Sequence, residues 1–559
     1  MTALATDATV GVVGAGTMGS GIAQVALVAG HSVLLFDLAD SAAENAAASI
    51  GSRLDRLVQK GRLDAEAATA ARQRLHPVQS LEDFAPCRLV VEAAAEDLEV
   101  KREVFALLEE ICDEQVILAT NTSTLSVTAI ASRLTRPERV CGMHFFNPAP
   151  VMKLVEVPSG ALTDPDVAGT VADTAAAWGK TPVRCASTPG FVVNRVARPF
   201  YGEALRVLEE QGADCATIDA VLREAGGFPM GPFELADLVG NDVNLAVGRS
   251  VWEQTFGDPR YAPTVAQQSL VDAGRLGRKT GRGWFEYDQT GAQRTGDQQG
   301  PRTEDRQQPP EQVVYHGGFH TTYGLLDRIA AAGVSVELHH TGPARRPSGS
   351  GTSAYGIELP TGGLVLEATG EPATTDGDAI TLDWVFDATT ATRVCLAPGD
   401  ASEPESLRLA IGLFQAAGLQ VSVIDDVPGL IVARTVAMLI NEAVELVTRA
   451  EAAPADVETA MRLGTGYPIG LLEWGDRIGP DIVQGMLKQL SSVYPDGRYR
   501  PAPLLTRCSD SNRPLRTLGT DPAIGGSMSG DPTAVDSTAV DSTAVDSTAV
   551  DSTAGQADS

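Results

Sequence analysis

The residues of this sequence that most clearly suggest chemistry are a histidine and a glutamate, His144 and Glu156. Two short apolar runs, 139–146 and 152–157, flank a turn at 147–150, so we predict neighbouring strands that bring the two side chains together. An imidazole exchanges a proton near neutral pH, and a carboxylate beside it fixes its tautomer and stabilises its charged form. The pattern predicts a general base, although a core histidine with a surface glutamate would show the same pattern.

A glycine-rich loop near the amino terminus indicates a dinucleotide site. A predicted strand at 9–13 runs into G-A-G-T-M-G and then into a helical stretch at 20–29. In such a loop the first glycine allows a tight turn, the second admits a pyrophosphate, and the third lets the helix pack on the strand. The helix N-terminus then faces negative charge. The loop residues expected to contact a cofactor are Gly14, Gly16, Thr17, Met18 and Gly19.

The next predicted strand, 31–36, ends in an acid that bears on cofactor choice. Asp37 follows Gly16 by about 20 residues, where an acid accepts both ribose hydroxyls of the adenosine half. An acid at this point repels a 2′-phosphate, so NAD is favoured over NADP. The alternative is a glycine turn with no ligand.

Two further apolar runs, each preceded by helical periodicity, complete the pattern of a Rossmann-type, doubly wound parallel sheet. Ligands of such sheets bind at the carboxyl ends of the strands. Glu96, Asn121 and Ser123 follow strand ends, as does His144, so we expect them on one edge with the dinucleotide. Ser123 could instead cap a helix expected to begin near Leu125.

Length and composition limit the possible roles. With 559 residues the chain should form about three to five domains. No apolar run is long enough to cross a bilayer, and a net charge of −29 argues against a nucleic-acid surface. Seven cysteines without a C-x-x-C pair indicate neither a disulfide framework nor a zinc cluster. The amino terminus lacks the basic region of a secretory signal, so we expect a cytoplasmic protein.

One basic stripe stands out in this acidic chain. Arg53, Arg56 and Lys60 are spaced three and four residues apart, along one face of a predicted helix, and Arg62 follows. Such a stripe suits the phosphates of a carrier such as coenzyme A. A solvated helix face would give the same spacing.

Five motifs, in order over nearly the first 290 residues, together resemble the 3-hydroxyacyl-CoA dehydrogenase family. They are G-A-G-T-M-G-S-G-I-A-Q, V-E-A-A-A-E-D-L-E-V-K, N-T-S-T-L, H-F-F-N-P-A-P-V-M-K-L-V-E-V and P-G-F-V-V-N-R. The resemblance implies that His144 is the catalytic base and that Glu156 orients it. It implies that Ser123 and Asn194 hydrogen-bond the substrate. The polar residues expected at the nicotinamide half of the cofactor site are Glu96, Lys101 and Asn121.

The second half of the chain repeats the first in damaged form. P-G-F-V-V-N-R at 189–195 matches P-G-L-I-V-A-R at 428–434, and F-P-M-G-P-F-E-L-A-D at 228–237 matches Y-P-I-G-L-L-E-W-G-D at 467–476 with the same offset. These matches predict a duplicated helical domain. In the stretch before the second helical copy, alignment of the two halves on A-G-x-S-V places G-G-F-H-T-T opposite the glycine loop G-A-G-T-M-G.

In that alignment the second copy lacks the candidate functional residues of the first. Asp37 becomes His340, Asn194 becomes Ala433, and no counterpart of H-F-F-N-P survives. The second copy is therefore predicted to be non-catalytic. We expect it to supply within one chain a helical contact that single-copy enzymes make between subunits, as the resemblance to long bacterial members suggests. A homo-oligomer remains an open alternative.

The predicted organisation combines α/β and all-α units. It consists of an NAD-binding Rossmann domain (1–187), an all-α domain (188–288), a linker (289–310), a shortened degenerate Rossmann-like domain (311–427), a second all-α domain (428–507) and a disordered acidic tail (508–559) that repeats A-V-D-S-T four times.

The sequence thus predicts NAD-dependent oxidation of an (S)-3-hydroxyacyl-CoA in fatty-acid or aromatic catabolism, without a metal. The acyl group is expected to be short, as in 3-hydroxybutyryl-CoA, or dicarboxylic, as in 3-hydroxyadipyl-CoA. Arg195 and Arg198 lie near Asn194, but the sequence does not decide whether either meets a second carboxylate. The alternatives are a dehydrogenase of a free hydroxy or sugar acid and a non-catalytic NAD-binding regulator.

Overall fold

The amino-terminal part of the chain alternates strands and helices. In the computed structural model, which describes residues 2–294, 300–339, 344–345 and 353–518, its elements are β1 (Thr9–Val13), α1 (Thr17–Val28), β2 (Ser32–Phe36), α2 (Ala42–Gln59), α3 (Ala65–Gln73), β3 (Leu75–Pro77), β4 (Cys87–Glu92), α4 (Leu98–Ile111), β5 (Ile117–Thr120), α5 (Val127–Ala131) and β6 (Val140–Gly142). The strands pair in parallel in the order β3-β2-β1-β4-β5-β6.

Apolar cores cover both faces of this sheet. Val10 and Val12 of β1 belong to the core that α1 and α2 close, whereas Val13 belongs to the core on the α4 side. Side chains alternate between faces along a strand, so strands buried on both faces are apolar throughout. The doubly wound parallel sheet predicted from the sequence is confirmed.

A smaller sheet carries His144 and Glu156. Its elements are β7 (His144–Phe145), β8 (Leu154–Ser159), α6 (Pro165–Ala177) and β9 (Thr181–Ala186), with β7 antiparallel to β8 and β8 parallel to β9. The prediction of one strand over 139–146 was wrong, because the chain leaves β6 and enters a different sheet at Met143. The sheets approach closely here: a Cβ on Gly142 would lie 2.2 Å from Pro158 Cγ.

The first helical segment follows. It contains α7 (Val193–Val196), α8 (Arg198–Glu209), α9 (Cys215–Glu224), α10 (Pro232–Val239), α11 (Asn241–Gln254) and α12 (Val265–Asp272). The helical path from α7 to α8 is interrupted at Ala197. Pro199 lies in the first turn of α8, where the missing N–H costs nothing.

The later half begins with a shorter α/β unit. Its elements are β10 (Gln312–Tyr315), α13 (Leu325–Ala331), β11 (Ser335–Leu338), β12 (Ala344–Arg345), β13 (Ser353–Ala354), β14 (Ile357–Glu358), β15 (Leu364–Glu367), β16 (Ala379–Leu382), β17 (Arg393–Pro398), α14 (Pro404–Ala416) and β18 (Gln420–Val423). The main sheet is mixed, in the order β11-β10-β14-β15-β16-β17-β18.

The pairing of the first strands repeats between the two halves. Thr9 of β1 pairs with Ser32 of β2, and Gln312 of β10 pairs with Ser335 of β11, both in parallel. These partners are the ones that the alignment on A-G-x-S-V predicts. His340, the expected counterpart of Asp37, lies outside the described residues.

A second helical segment completes the described chain. It consists of α15 (Val432–Thr448), α16 (Pro454–Thr465), α17 (Leu471–Ile478), α18 (Pro480–Val493) and α19 (Pro503–Ser511). It shares one apolar core with the first helical segment. None of the described helices combines the length and hydrophobicity that a bilayer crossing needs.

The expected start of the disordered tail at Cys508 was wrong. Cys508 and Leu515 are buried, and Leu515 N donates to Asp476 Oδ1. Apolar side chains at these positions anchor the stretch on α17, so residues 508–518 belong to the folded part of the chain. The A-V-D-S-T repeats lie outside the described residues.

The two helical segments contact each other through equivalent side chains. In each segment an arginine at the start of the first helix donates to a tyrosine hydroxyl, which in turn donates to a glutamate on the first long helix of the other segment. The two sets are Arg195, Tyr261 and Glu442, and Arg434, Tyr499 and Glu203. All six residues are buried, so the segments are joined by reciprocal polar contacts within an apolar core.

Candidate active site

His144 and Glu156 lie opposite each other on β7 and β8. His144 Nδ1 is 2.8 Å from Glu156 Oε2, and both side chains are buried. The other ring nitrogen, Nε2, has no hydrogen-bond partner among the described residues. A carboxylate at Nδ1 keeps that nitrogen protonated and leaves Nε2 as the acceptor of a proton.

Glu156 also holds the start of the helical segment. Its Oε1 accepts hydrogen bonds from Val192 N at 3.1 Å and Val193 N at 2.8 Å. These amides lie at the beginning of α7, where backbone N–H groups have no partners within the helix. One carboxylate thus fixes both the imidazole and the helix that carries Asn194.

Asn194 occupies the first turn of α7, directly after the amides held by Glu156. Its side-chain amide is partly exposed and makes no hydrogen bond to any described residue. An amide can donate and accept at once. Asn194 therefore offers a free polar group one residue after Val193, whose amide shares Glu156 with His144.

The glycine loop has the geometry that its spacing predicts. Gly14 has φ +99°, and a Cβ on Gly19 would lie 1.8 Å from Gly14 O, so α1 packs closely on β1. A Cβ on Gly16 would meet no atom within 4 Å. The amides of Thr17 and Met18 begin α1 beside this open space, which suits a pyrophosphate.

Asp37 closes the same loop from the end of β2. Its Oδ2 accepts from Ala15 N at 2.6 Å, and its Oδ1 accepts from Ala39 N at 2.9 Å. Ala15 lies between the first two loop glycines. The carboxylate is partly exposed, so its remaining lone pairs face the edge where a ribose would lie.

Glu96 organises the loop that follows β5. Its Oε1 accepts from Thr122 Oγ1 at 2.6 Å, from Ser123 N at 3.0 Å and from Thr124 N at 3.1 Å. Burial alone would raise the pKa of Glu96, but Lys101 and these hydrogen bonds together lower it. The side chain is therefore a carboxylate that holds Ser123 in place.

Lys101 and Asn121 lie behind this loop. Lys101 is only 1% exposed, and its Nζ contacts Glu92 at 2.6 Å and Glu96 at 3.4 Å. Asn121 Oδ1 accepts from Phe145 N at 2.8 Å, which ties β5 to the strand that carries His144. Both side chains thus position other site residues.

Ser123 does not cap the following helix. That helix begins at Val127, and Ser126 Oγ accepts from Ala129 N as its cap. The Ser123 hydroxyl is partly exposed and lies 3.4 Å from Glu96 Oε1. It remains available to a ligand.

A basic cavity of about 670 Å³ adjoins the site. It extends from Thr17 in the glycine loop to the 147–151 turn that follows the His144 strand. No carboxylate is among its lining residues in the described part of the chain, although the protein is strongly acidic. The cations that line it are Arg53, Arg56, Arg62, Lys153 and Lys180.

The cavity contains part of the predicted basic stripe. Helix α2 ends at Gln59 with Lys60 as its C-cap residue, and Lys60 is not among the residues that line the cavity. Arg62, which follows the stripe, does line it. Sequence reasoning missed Lys153 and Lys180. Their signal was two lysines bordering apolar strands in a chain with few basic residues.

Lys180 also hydrogen-bonds the backbone of the turn after the His144 strand. Its Nζ donates to Ala149 O at 2.6 Å and to Met152 O at 2.8 Å, which holds the turn after the His144 strand. Burial and, to a lesser degree, the charge of Lys153 lower the pKa of Lys180. The two cations therefore concentrate positive potential at this end of the cavity.

The loop after β10 is the second copy's counterpart of the glycine loop, and an internal carboxylate closes it to a pyrophosphate. Glu367 Oε2 accepts from His320 N, and its Oε1 accepts from Thr321 N and Thr322 N, at distances of 2.8 to 2.9 Å. These amides correspond to those of the first glycine loop. An internal carboxylate occupies the anion position, which agrees with the loss of cofactor residues predicted from the sequence.

Comparisons with known proteins agree with this architecture. Residues 9–188 match the model of the 3-hydroxyacyl-CoA dehydrogenase NAD binding domain. The C-terminal domain model of the same name matches twice, at 190–287 and 429–521, and the 3-hydroxybutyryl-CoA dehydrogenase reduced Rossmann-fold domain matches 360–428. The two C-terminal matches confirm the duplication predicted from the repeated motifs.

Individual relatives match over different lengths. The 3-hydroxyadipyl-CoA dehydrogenase of Escherichia coli K12 is 42% identical over 498 residues, covering 89% of this chain and 96% of that protein. The 3-hydroxybutyryl-CoA dehydrogenase of Clostridioides difficile is 41% identical over 276 residues, covering 49% of this chain and 98% of its own length. A crystal structure of 3-hydroxybutyryl-CoA dehydrogenase from Escherichia coli K12 superposes with a TM-score of 0.79 at 39% identity, covering 90% of this chain and 98% of that one.

Proposed function

This chain belongs to the 3-hydroxyacyl-CoA dehydrogenase family, and we propose that it oxidises the (S)-3-hydroxyl group of an acyl-CoA through the His144–Glu156 pair. The observation that carries the proposal is the 2.8 Å contact between His144 Nδ1 and Glu156 on the smaller sheet, in a chain whose main sheet bears the open glycine loop. NAD, when bound, accepts the hydride from carbon 3.

In this proposal His144 Nε2 removes the hydroxyl proton. The imidazole then becomes positively charged, and Glu156 stabilises that charge without a metal. Because Glu156 also holds Val192 N and Val193 N, the carboxylate cannot turn away from the ring. General-base help of this kind typically contributes about 10²–10⁴ in rate.

Ser123 and Asn194 are proposed to hydrogen-bond the reacting oxygens. Ser123 is held by Glu96, and Asn194 follows the amides held by Glu156, so both donors have fixed positions before substrate binds. Pre-positioned donors stabilise charge that develops on a substrate oxygen.

The cofactor site is proposed to combine the glycine loop with two acids. The pyrophosphate would be held by the loop residues Gly14, Gly16, Thr17, Met18 and Gly19. The two acids would lie at opposite ends of the dinucleotide, Asp37 at the adenosine ribose and Glu96 at the nicotinamide half. We propose that Lys101 and Asn121 act through Glu96 and Phe145 instead of touching NAD.

The basic cavity is proposed to hold the phosphates of coenzyme A. Arg53, Arg56 and Arg62 face it from one side and Lys153 from the other, and this arrangement suits an extended polyanion. A free hydroxy acid has no phosphates and would leave most of this cavity unused. The cavity thus favours a coenzyme A thioester over the free-acid alternative.

The test compares a thioester with its free acid. The enzyme is mixed with NAD and either (S)-3-hydroxybutyryl-CoA or (S)-3-hydroxybutyrate, and NADH absorbance is recorded. We expect turnover of the thioester, inhibited competitively by free coenzyme A. Faster turnover of the free acid, or no turnover of any hydroxyacyl compound, would overturn the proposal.

We also propose that the second helical segment acts as a built-in partner for the first. The reciprocal arginine, tyrosine and glutamate contacts and the shared core support this proposal. They have the two-fold character expected when equivalent surfaces pair. The shorter α/β unit, with Glu367 in its loop, would then serve as a spacer.

A further inference from the structure

Arg198 has no carboxylate partner among the residues that the structure describes. Its Nε donates to Asn194 O at 3.0 Å and its Nη1 to Asn244 O at 3.3 Å, both backbone carbonyls. A guanidinium has five N–H donors, so several remain, and Nη2 has no hydrogen-bond partner among the described residues. Arg195, three residues earlier, instead forms ion pairs with Glu442 and Glu451 and donates to Tyr261 Oη. The structure thus distinguishes two arginines that the sequence could not.

Two tyrosine hydroxyls near Arg198 also lack partners. The guanidinium carbon lies 4.9 Å from the centre of the Tyr201 ring. The Phe200 ring lies 5.8 Å from Tyr201 and 6.0 Å from Tyr467, so one aromatic side chain bridges the two tyrosines. The Tyr467 hydroxyl is buried and has no hydrogen-bond partner in the described chain. Tyr201 Oη likewise has none there.

Electrostatics connect these three groups. Burial raises the pKa of both Tyr201 and Tyr467, and the positive charge of Arg198 partly opposes that rise. At neutral pH both hydroxyls are therefore protonated and able to donate. A buried hydroxyl without an acceptor costs about 1–3 kcal/mol, so such groups generally have a ligand or water. Three neighbouring groups, linked by the Arg198–Tyr201 contact and by Phe200, thus have donors without an acceptor among the described residues.

Packing alone does not require Arg198. The position equivalent to it in the second helical segment is Ala437, which is buried in the same kind of helix start. That segment forms its helix with an alanine at this position. Arg198 therefore serves something that the second copy does not do.

The location of the three donors relates them to the proposed site. Arg198 follows Asn194 by one helical turn and bonds to its carbonyl, and one turn advances about 5.4 Å. Three carbon–carbon bonds of about 1.5 Å separate carbon 3 of a six-carbon acyl chain from its far end, a reach of about 4 Å. A chain whose carbon 3 lies beside Asn194 can therefore bring its end to Arg198.

The second helical segment follows this path. A Cβ on Gly464 would lie 2.8 Å from Val193 Cγ2, next to Asn194, and Tyr467 comes three residues later beside Phe200. Residues 464–467 thus run alongside the stretch from Val193 to Phe200. The later half of the chain thus brings Tyr467 to the helix that carries Arg198 and Tyr201.

We propose that Arg198, Tyr201 and Tyr467 form a subsite for the terminal carboxylate of a dicarboxylic 3-hydroxyacyl-CoA. This proposal rests on the proposed function, since it concerns the acyl end of the same site. A carboxylate accepts up to four hydrogen bonds and would satisfy all three donors. Charge-assisted bonds of this kind are about twice as strong as neutral ones.

The experiment compares two thioesters of equal length, (S)-3-hydroxyadipyl-CoA and (S)-3-hydroxyhexanoyl-CoA, by NADH absorbance. The measured quantity is the ratio of their kcat/KM values. We expect wild type to favour the dicarboxylic substrate and Arg198→Met to lower the ratio about 10²-fold, because truncating one member of a buried charge pair has an effect of this size. Arg198→Lys should retain part of the preference.

Tyr467→Phe removes one oxygen and keeps the fold testable if Arg198→Met does not fold. We expect it to lower the ratio about tenfold. Tyr323→Phe is the matched control, since Tyr323 is 51% exposed on the shorter α/β unit. A wild-type ratio near one, or a ratio that Tyr467→Phe and Arg198→Lys both leave unchanged, overturns the subsite. If wild type oxidises neither thioester, the proposed function itself fails.

Discussion

Glu156 and Asp383 accept hydrogen bonds from equivalent pairs of backbone amides, one pair in each half of the chain. Glu156 binds Val192 N and Val193 N, and Asp383 binds Ile431 N and Val432 N at the equivalent helix start. Only Glu156 also contacts a histidine. Asp383 instead accepts from Trp384 N. The carboxylate is thus a shared structural device, to which the first half adds an imidazole.

His144→Ala tests the proposed base. Turnover should fall by at least about 10²–10⁴, because the proton must then leave to water. The affinity for NAD should stay within about threefold, since His144 is not part of the glycine loop. Steady-state NADH absorbance and fluorescence titration of NADH measure the two effects. His339→Ala, at a largely exposed histidine of the second half, should behave as wild type. Turnover retained in His144→Ala would reject the assignment.

Glu156→Gln and Asp383→Asn separate the catalytic from the structural role of the carboxylate. Each amide replaces an accepting carboxylate oxygen with an NH₂ group that faces a donor, so both should lower the thermal midpoint. Only Glu156→Gln should also lower kcat, by about 10² or more, because an amide cannot stabilise a charged imidazole. Differential scanning calorimetry and kinetics on the same samples decide the matter. Equal losses of kcat in the two variants would contradict it.

The free energy of unfolding should depend on pH through Asp383. Burial raises the pKa of Asp383 to about 6, above the value of about 3.9 for an unfolded chain. The native state binds this proton more tightly, so the stabilisation is complete below about pH 4 and is lost as the pH rises to about 6.

With about 1.4 kcal/mol per pKa unit, wild type should lose about 2–3 kcal/mol relative to Asp383→Asn over this window. Urea unfolding at several pH values measures the difference. Parallel curves for the two proteins would mean that the buried carboxyl group stays charged throughout.

Arg56→Ala and Lys60→Ala test which cations meet coenzyme A. Arg56 lines the basic cavity and Lys60 does not. Arg56→Ala should raise the KM of an acyl-CoA about three- to tenfold, whereas Lys60→Ala should change it less than about twofold. An acyl-pantetheine thioester, which lacks the phosphates, should show no difference between the variants. An equal KM increase for both thioesters would place the phosphates elsewhere.

Tyr261→Phe and Tyr499→Phe test the reciprocal contact. Each removes a hydroxyl that donates to a buried glutamate of the other helical segment. Each should cost about 1–3 kcal/mol, because the carboxylate loses a donor that water cannot replace. Chemical denaturation should give similar losses for the two. A loss in one variant only would show that the two halves of the contact are energetically unequal.

Local pattern was enough to predict the parts of the site that depend on short stretches of chain. The glycine loop follows from steric demands within six residues, and the pairing of His144 with Glu156 follows from two strands joined by a short turn. Strand β1 was predicted with the bounds that the structure has. The repeat of the helical segment was readable because whole motifs recur at one offset.

Other parts depend on neighbours distant in sequence. That Lys101 is buried beneath Glu96 is a matter of tertiary packing, and so is the presence of Lys153 and Lys180 in the wall of the basic cavity. Nothing in the sequence relates Tyr467 to Arg198, since the two are brought together only when the helical segments dock. Asp383 was not found by alignment, because it replaces Glu156 from a different position in its sheet.

The reciprocal contact between Arg195, Glu442, Arg434 and Glu203 has a consequence for behaviour in dilute solution. Two surfaces tethered on one polypeptide meet at an effective concentration set by the connecting chain, not by the amount of protein in the cell. Specific activity should therefore stay constant on dilution to the nanomolar range, where an enzyme assembled from separate subunits would begin to dissociate.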